Sequence, residues 1–94
     1  MTDPQLLDAR RAGILAQVTE LRRALAELTE DYRGLPTSGL LLDTEGIGAL
    51  ITPAYCVAGA REVFEEATIE LDAAIDALGR AGTYTSRLRL AVFD

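Results

Sequence analysis

Residues 4–33 read PQLLDARRAGILAQVTELRRALAELTEDYR, and within them Leu7, Ile14, Leu21 and Leu28 stand one heptad apart. Val18, Leu25 and Tyr32 fall four residues after three of these. Apolar residues at alternating steps of three and four form a seam along an α-helix, and another helix has to cover it. The second half of the chain repeats the pattern. Val57, Phe64, Leu71 and Leu78 form one heptad line, and Ala60, Ala67, Ala74 and Ala81 form a neighbouring one. The spacing predicts an all-α fold: a long antiparallel helical hairpin that becomes a four-helix bundle on dimerisation.

The helix ends carry local signals. Thr2 or Asp3 offers an N-cap, Pro4 suits the first helical position, and Gln5 can close a capping box onto Thr2. Gly34 is a natural C-cap and Pro36 opposes continuation, so helix 1 is expected over residues 4–33. Thr52-Pro53 repeats the cap-then-proline start, and Gly79 or Gly82 offers a stop, which gives helix 2 over residues 53–79. The tail, residues 80–94, alternates like a strand but also continues the helical seam through Ala81, Leu88 and Val92. Helix resuming after a break at Gly82 is the favoured reading.

Between the helices, residues 34–52 hold Gly34, Pro36, Gly39, Gly46 and Gly48, which interrupt any long element. Leu40, Leu41, Leu42, Ile47, Leu50 and Ile51 are too apolar for a solvated linker. A structureless connection of this length is unusual in a compact domain. The segment is therefore expected to plug one end of the bundle, with a short helix capped by Asp43 or Thr44.

On a helical wheel the apolar arc of helix 2 spans about 120°, wider than a two-stranded seam. The bulky line Val57, Phe64, Leu71 and Leu78, with Ile75, is expected to face helix 1. The alanine strip, joined by Cys56 and Val63, lets a further helix approach closely. An antiparallel hairpin pairs Leu7 with Leu78, Ile14 with Leu71, Leu21 with Phe64 and Leu28 with Val57, numbers that sum to 85. A shift of one heptad pairs apolar residues equally well. Arg11, Arg22 and Arg33 recur every eleven residues along one flank of helix 1, and Glu65, Asp72 and Asp76 flank helix 2.

Ninety-four residues make one domain, expected over residues 1–94, and a chain this short often needs a partner to complete its core. The net charge is −6, from nine Arg against fifteen Asp and Glu, with no Lys or His. An acidic chain repels phosphate backbones and anionic lipid, so neither nucleic acid nor a membrane is an expected partner. No window approaches the ~18–20 apolar residues of a membrane span, and MTDPQLLDARR lacks the order of a secretory signal. The expected location is the cytoplasm, or outside the cell by a route without a cleaved signal peptide. Cys56 stands alone and forms no internal disulfide; it is read as a small buried hydrophobe.

Without His, neither a Ser-His-Asp nor a Cys-His unit can form, and the usual zinc patterns are excluded. Glu62, Glu66 and Glu70 step by four along one solvated face, and Gly46-Ile47-Gly48 lacks the Lys of a phosphate-binding loop. No catalytic, cofactor or metal residue is assigned. Helical chorismate mutases are also small, helical and Arg-bearing, and Arg10, Arg11, Arg22 and Arg23 are the residues such an enzyme would use; core-facing acids and alanines in helix 2 do not match.

The plan of about 95 residues, two helices, a Gly-containing connection with Gly46 and Gly48, and high Ala content resembles the small helical-hairpin proteins of type VII secretion systems. In that family hairpins pair into four-helix bundles and leave the cell folded. Its W-x-G turn has no counterpart in a chain without Trp, and Tyr84 is followed four residues later by Leu88 where the export signal has an acid. The function expected is a non-enzymatic interaction module, a small adaptor or assembly component. It would pair with a second copy or with another helical protein through Leu21, Leu25, Phe64, Leu71, Ala60, Ala67 and Ala74. A type VII secretion substrate or partner and a phage or particle subunit are the other expectations.

Overall fold

The computed structural model describes residues 3–45 and 52–92. The fold is all-helical, two helices packed against each other as a hairpin. α1 spans Pro4–Gly34, a short 3-10 turn follows at Leu35–Thr37, and α2 spans Pro53–Thr85. Among the described residues there is no strand, so the alternation in the tail does not produce one. The chain divides into two compact units, Met1–Arg22 with Glu70–Asp94 and Arg23–Ile69.

Both helix starts follow the sequence. Asp3 is the N-cap of α1: its Oδ1 accepts from the Gln5 amide at 2.8 Å, and its carbonyl accepts from Leu7. Thr52 caps α2, its Oγ1 accepting from the Tyr55 amide at 3.1 Å. Each side chain satisfies one of the donors that a helix N-terminus leaves open.

The helix ends differ from expectation. Gly34 stays right-handed at φ −77°, and the positive φ falls on Gly39 at 83°. The chain thus leaves α1 through a 3-10 turn before it uses a glycine's freedom. α2 passes through Gly79 and Gly82 without a break and ends at Thr85. Gly82 is buried, and a Cβ there would lie 2.8 Å from Cζ of Arg11. Close packing, not termination, is the role of this glycine.

The expected plug is absent from the described part of the connection. Leu40 and Leu42 are exposed and Leu41 is 102% exposed. The short helix drawn through Ile51 falls mostly on residues 46–51, which lie outside the described residues.

Seam and register also differ. In α1 the half-buried positions of the first unit are Pro4, Asp8, Arg11, Leu15, Val18 and Arg22, and those of the second are Leu25, Ala26, Tyr32 and the buried Thr29. Val18, Leu25 and Tyr32 lie in the seam as expected, but the line Leu7, Ile14, Leu21 and Leu28 lies beside it. In α2, Leu71, Ala74, Ile75, Leu78 and Ala81 of the first unit are half-buried, as are Val57, Ala60, Phe64 and Ala67 of the second.

Asp8 meets Thr85 and Arg22 meets Asp72 in the first unit; Tyr32 stacks at a tilt on Phe64 in the second, centroids 5.5 Å apart. These numbers sum to 93 and 94 in the first unit, about the one-heptad shift from 85, and to 96 in the second, eleven beyond it. Extension of α2 to Thr85 supplies the added length, and Arg11 over Gly82 holds it in place.

Candidate helix-docking face

No apolar side chain is buried among the described residues. The hairpin seam takes two of three adjacent heptad lines on α1, and they are the more polar two. Arg11, Arg22 and Thr29 sit there, each tied down by a specific bond. Arg11 donates through Nε to Asp8 at 2.8 Å and through Nη1 to the Leu78 carbonyl at 3.2 Å. Arg22 donates to both carboxylate oxygens of Asp72, at 2.9 and 3.4 Å. Thr29 donates back to the Leu25 carbonyl at 2.8 Å.

Bonding to Arg11, then to Thr85, holds the Asp8 carboxyl below its ordinary pKa. Of the acids expected to flank α2, Asp72 reaches across to α1. Asp76 pairs within its own helix with Arg80 at 2.7 Å, and Arg33 pairs with Glu30 at 3.3 Å.

The third line of α1 is the most apolar and the least covered. Leu7 is 48% exposed, Ile14 48%, Leu21 59% and Leu28 44%. Helical geometry fixes which edge it occupies. At 100° per residue, Arg22 lies on one side of the Val18–Leu25 line and Leu21 on the other. On α2, Asp72 lies on one side of Leu71–Leu78, and Ala74 and Ala81 lie on the other. The helices are antiparallel, so the Arg22–Asp72 pair marks one edge of the first unit. Leu7, Ile14 and Leu21 line the opposite edge, and Ala74, Ala77 and Ala81 stand beside them on α2.

The second unit repeats the division. One edge holds an open groove of about 360 Å³ between Ala26, Thr29, Glu30 and Arg33 on α1 and Glu65, Thr68 and Ile69 on α2. The other carries Leu28, with a shallow groove of about 270 Å³ lined by Leu28, Asp31, Tyr32 and Leu35. By the same wheel, Cys56, Ala60, Val63 and Ala67 share that edge. Cys56 is exposed, against the expectation of a buried residue.

The seven residues expected to carry association divide between these positions. Leu25, Phe64, Leu71, Ala60, Ala67 and Ala74 are half-buried within the hairpin, and Leu21 is exposed. Leu7, Ile14 and Leu28 stand with Leu21 on the outer face, which the heptad spacing assigned to the seam. Among the described residues, no group of His, Cys, Asp or Glu is arranged to hold a metal ion. No described helix is long and apolar enough to cross a membrane. No family model, no curated protein and no solved structure matches the chain.

Proposed function

We propose that this chain is a non-enzymatic helix-pairing module, a small adaptor or assembly component whose hairpin completes its core against further helices. The observation that carries this reading is the absence of any buried apolar side chain among the described residues, while Leu7, Ile14 and Leu21 in the first unit and Leu28 in the second stand exposed. Ordering a residue costs about 1–2 kcal/mol in backbone entropy alone. Fully burying a leucine returns roughly 1.5–3 kcal/mol, and half-burying it returns about half of that. Helices of 31 and 33 residues with only half-covered seams are therefore short of apolar burial. A partner that covers the apolar ridge of either unit supplies it. The architectural resemblance read from the sequence to helical-hairpin proteins of type VII secretion points to pairing of the same general kind.

Dilution tests this. Helicity followed by circular dichroism from about 100 to 0.1 μM is expected to fall, with the thermal midpoint falling alongside, because a fold completed by association obeys mass action. Sharp, concentration-independent melting of a species with the mass of one chain would count against helix pairing as the chain's role.

A further inference from the structure

We propose that the cleft where the tail leaves α2 binds a compact oxyanion, with a phosphate monoester dianion the best match. Thr85, the last residue of α2, donates to the Asp8 carboxylate and so fixes the end of α2 beside the first turns of α1. Two turn bonds carry the chain on from there, from the Arg87 amide to the Tyr84 carbonyl at 3.1 Å and from the Leu88 amide to the Thr85 carbonyl at 3.4 Å. Between tail and helix lies a mainly polar cleft of about 340 Å³, lined by Gln5 of α1 and by Ser86, Arg87, Leu88 and Arg89. It falls wholly within the first unit.

Charge is what marks this cleft. The chain holds fifteen acids against nine arginines, so acids are in surplus as partners. Yet neither Arg87 nor Arg89 has a side-chain hydrogen bond or ion pair among the described residues. The acids at this end of α1 are engaged elsewhere: Asp8 with Arg11 and Thr85, and Asp3 with the Gln5 amide. Because Asp3 already caps the helix end, the two arginines carry the site and the helix dipole does not. A guanidinium is a planar fork of donors that matches the oxygens of a carboxylate or phosphate group. Two positive charges, with the hydroxyl of Ser86 and the carboxamide of Gln5 beside them, suit one anion of charge near −2. A phosphate monoester carries about −1.5 to −2 at pH 7. The net charge of −6 repels an extended polyanion, so the match is to a single group. The same chemistry is offered by free phosphate and by a phosphorylated side chain.

Titration of the full chain with inorganic phosphate at constant ionic strength tests this, followed by amide shifts in proton–nitrogen correlation spectra. Saturable shifts centred on Gln5 and residues 86–89 are expected, with a dissociation constant on the order of 1 mM. Arg87→Gln and Arg89→Gln are each expected to weaken binding about tenfold, with helicity unchanged because neither side chain holds a bond in the fold. Arg10→Gln, an exposed arginine outside the cleft, is expected to leave the affinity as it is. A phosphoserine peptide of otherwise uncharged sequence is expected to bind more tightly as pH rises from about 5 to 7.5, since its second ionisation lies near pH ~6.

Tighter binding of that peptide than of phosphate assigns the site to a phosphorylated side chain; equal or weaker binding assigns it to the free ion. Shifts that stay linear to about 50 mM phosphate would overturn the site. So would an affinity that survives loss of both Arg87 and Arg89, or one that falls equally in Arg10→Gln, which would reduce the effect to general screening.

Discussion

Gly82 and Gly79 sit three residues apart in the last turns of α2, and their surroundings separate two effects of glycine. A Cβ built on Gly79 meets nothing within 4 Å, whereas one on Gly82 would lie 2.8–3.0 Å from the three outer guanidinium atoms of Arg11. Glycine inside a helix costs about 0.5–1 kcal/mol relative to alanine. Gly79→Ala is therefore expected to stabilise the protein by about that amount. Gly82→Ala earns the same backbone term but pushes the guanidinium off the Leu78 carbonyl, and a hydrogen bond to a charged group contributes roughly 1.5–3 kcal/mol. Urea denaturation of the two variants is expected to give opposite signs.

The neighbouring Asp8 makes a pH prediction. Its folded pKa is lowered, with the Arg11 bond the largest cause and the Thr85 bond next. A carboxylate with a depressed folded pKa contributes stability that is fully present above its unfolded pKa and is lost as pH falls through the folded value. The urea midpoint is expected to be flat from pH 7 to about 5 as far as Asp8 is concerned, and to fall below the ordinary carboxylate range. In Asp8→Asn the midpoint at pH 7 is lower and the acid-side decline is shallower. An unchanged decline would place the titrating group elsewhere.

At the scale of the helices, caps and seams differ in how far the sequence disclosed them. Thr52-Pro53 and Asp3-Pro4 were legible because a cap is a local bond between a side chain and an amide two or three residues on. Thr52→Ala is expected to cost about 1 kcal/mol in a denaturant titration, and Thr52→Gly only a few tenths.

The seam of α2 was legible too, because its large line and its alanine line are both apolar. The seam of α1 was not. Three adjacent heptad lines there can each face a partner, and spacing ranks them by apolarity. The partner instead takes the lines holding Arg11, Arg22 and Thr29. Nothing in the spacing shows that Gly82 will receive the guanidinium of Arg11, that Asp72 will meet Arg22, or that Thr29 bonds back to Leu25. These are long-range or geometric facts, and they displaced the leucine line to the outside. Glycine misled in a related way. Gly79 and Gly82 read as stops, yet a glycine inside a helix costs only about 1 kcal/mol, which packing along a long helix offsets; Gly34 does end α1.

The Arg22–Asp72 pair bridges the two helices from an exposed position, so its contribution is small. A double-mutant cycle with Arg22→Ala and Asp72→Ala is expected to give a coupling of about 0.2–1 kcal/mol that shrinks in salt. A larger, salt-resistant coupling would mean that the edge bearing this pair is itself covered.

For the molecule as a whole, net charge and apolar burial make opposite demands on self-association, and they respond differently to salt. Each chain carries −6. Two such charges at roughly 30 Å in water repel by about 5 kcal/mol when unscreened. The Debye length is about 30 Å at 0.01 M salt and about 8 Å at 0.15 M, so raising salt removes nearly all of this repulsion. Apolar burial of the ridge is indifferent to this screening. Self-association is therefore expected to tighten as salt rises from about 10 to 150 mM, with a lower dissociation constant by sedimentation equilibrium. In such an association the leucine ridge supplies the affinity. Association that weakens steadily over the same range would mean that ion pairs hold the copies together, and the ridge would then lose its place as the main contact.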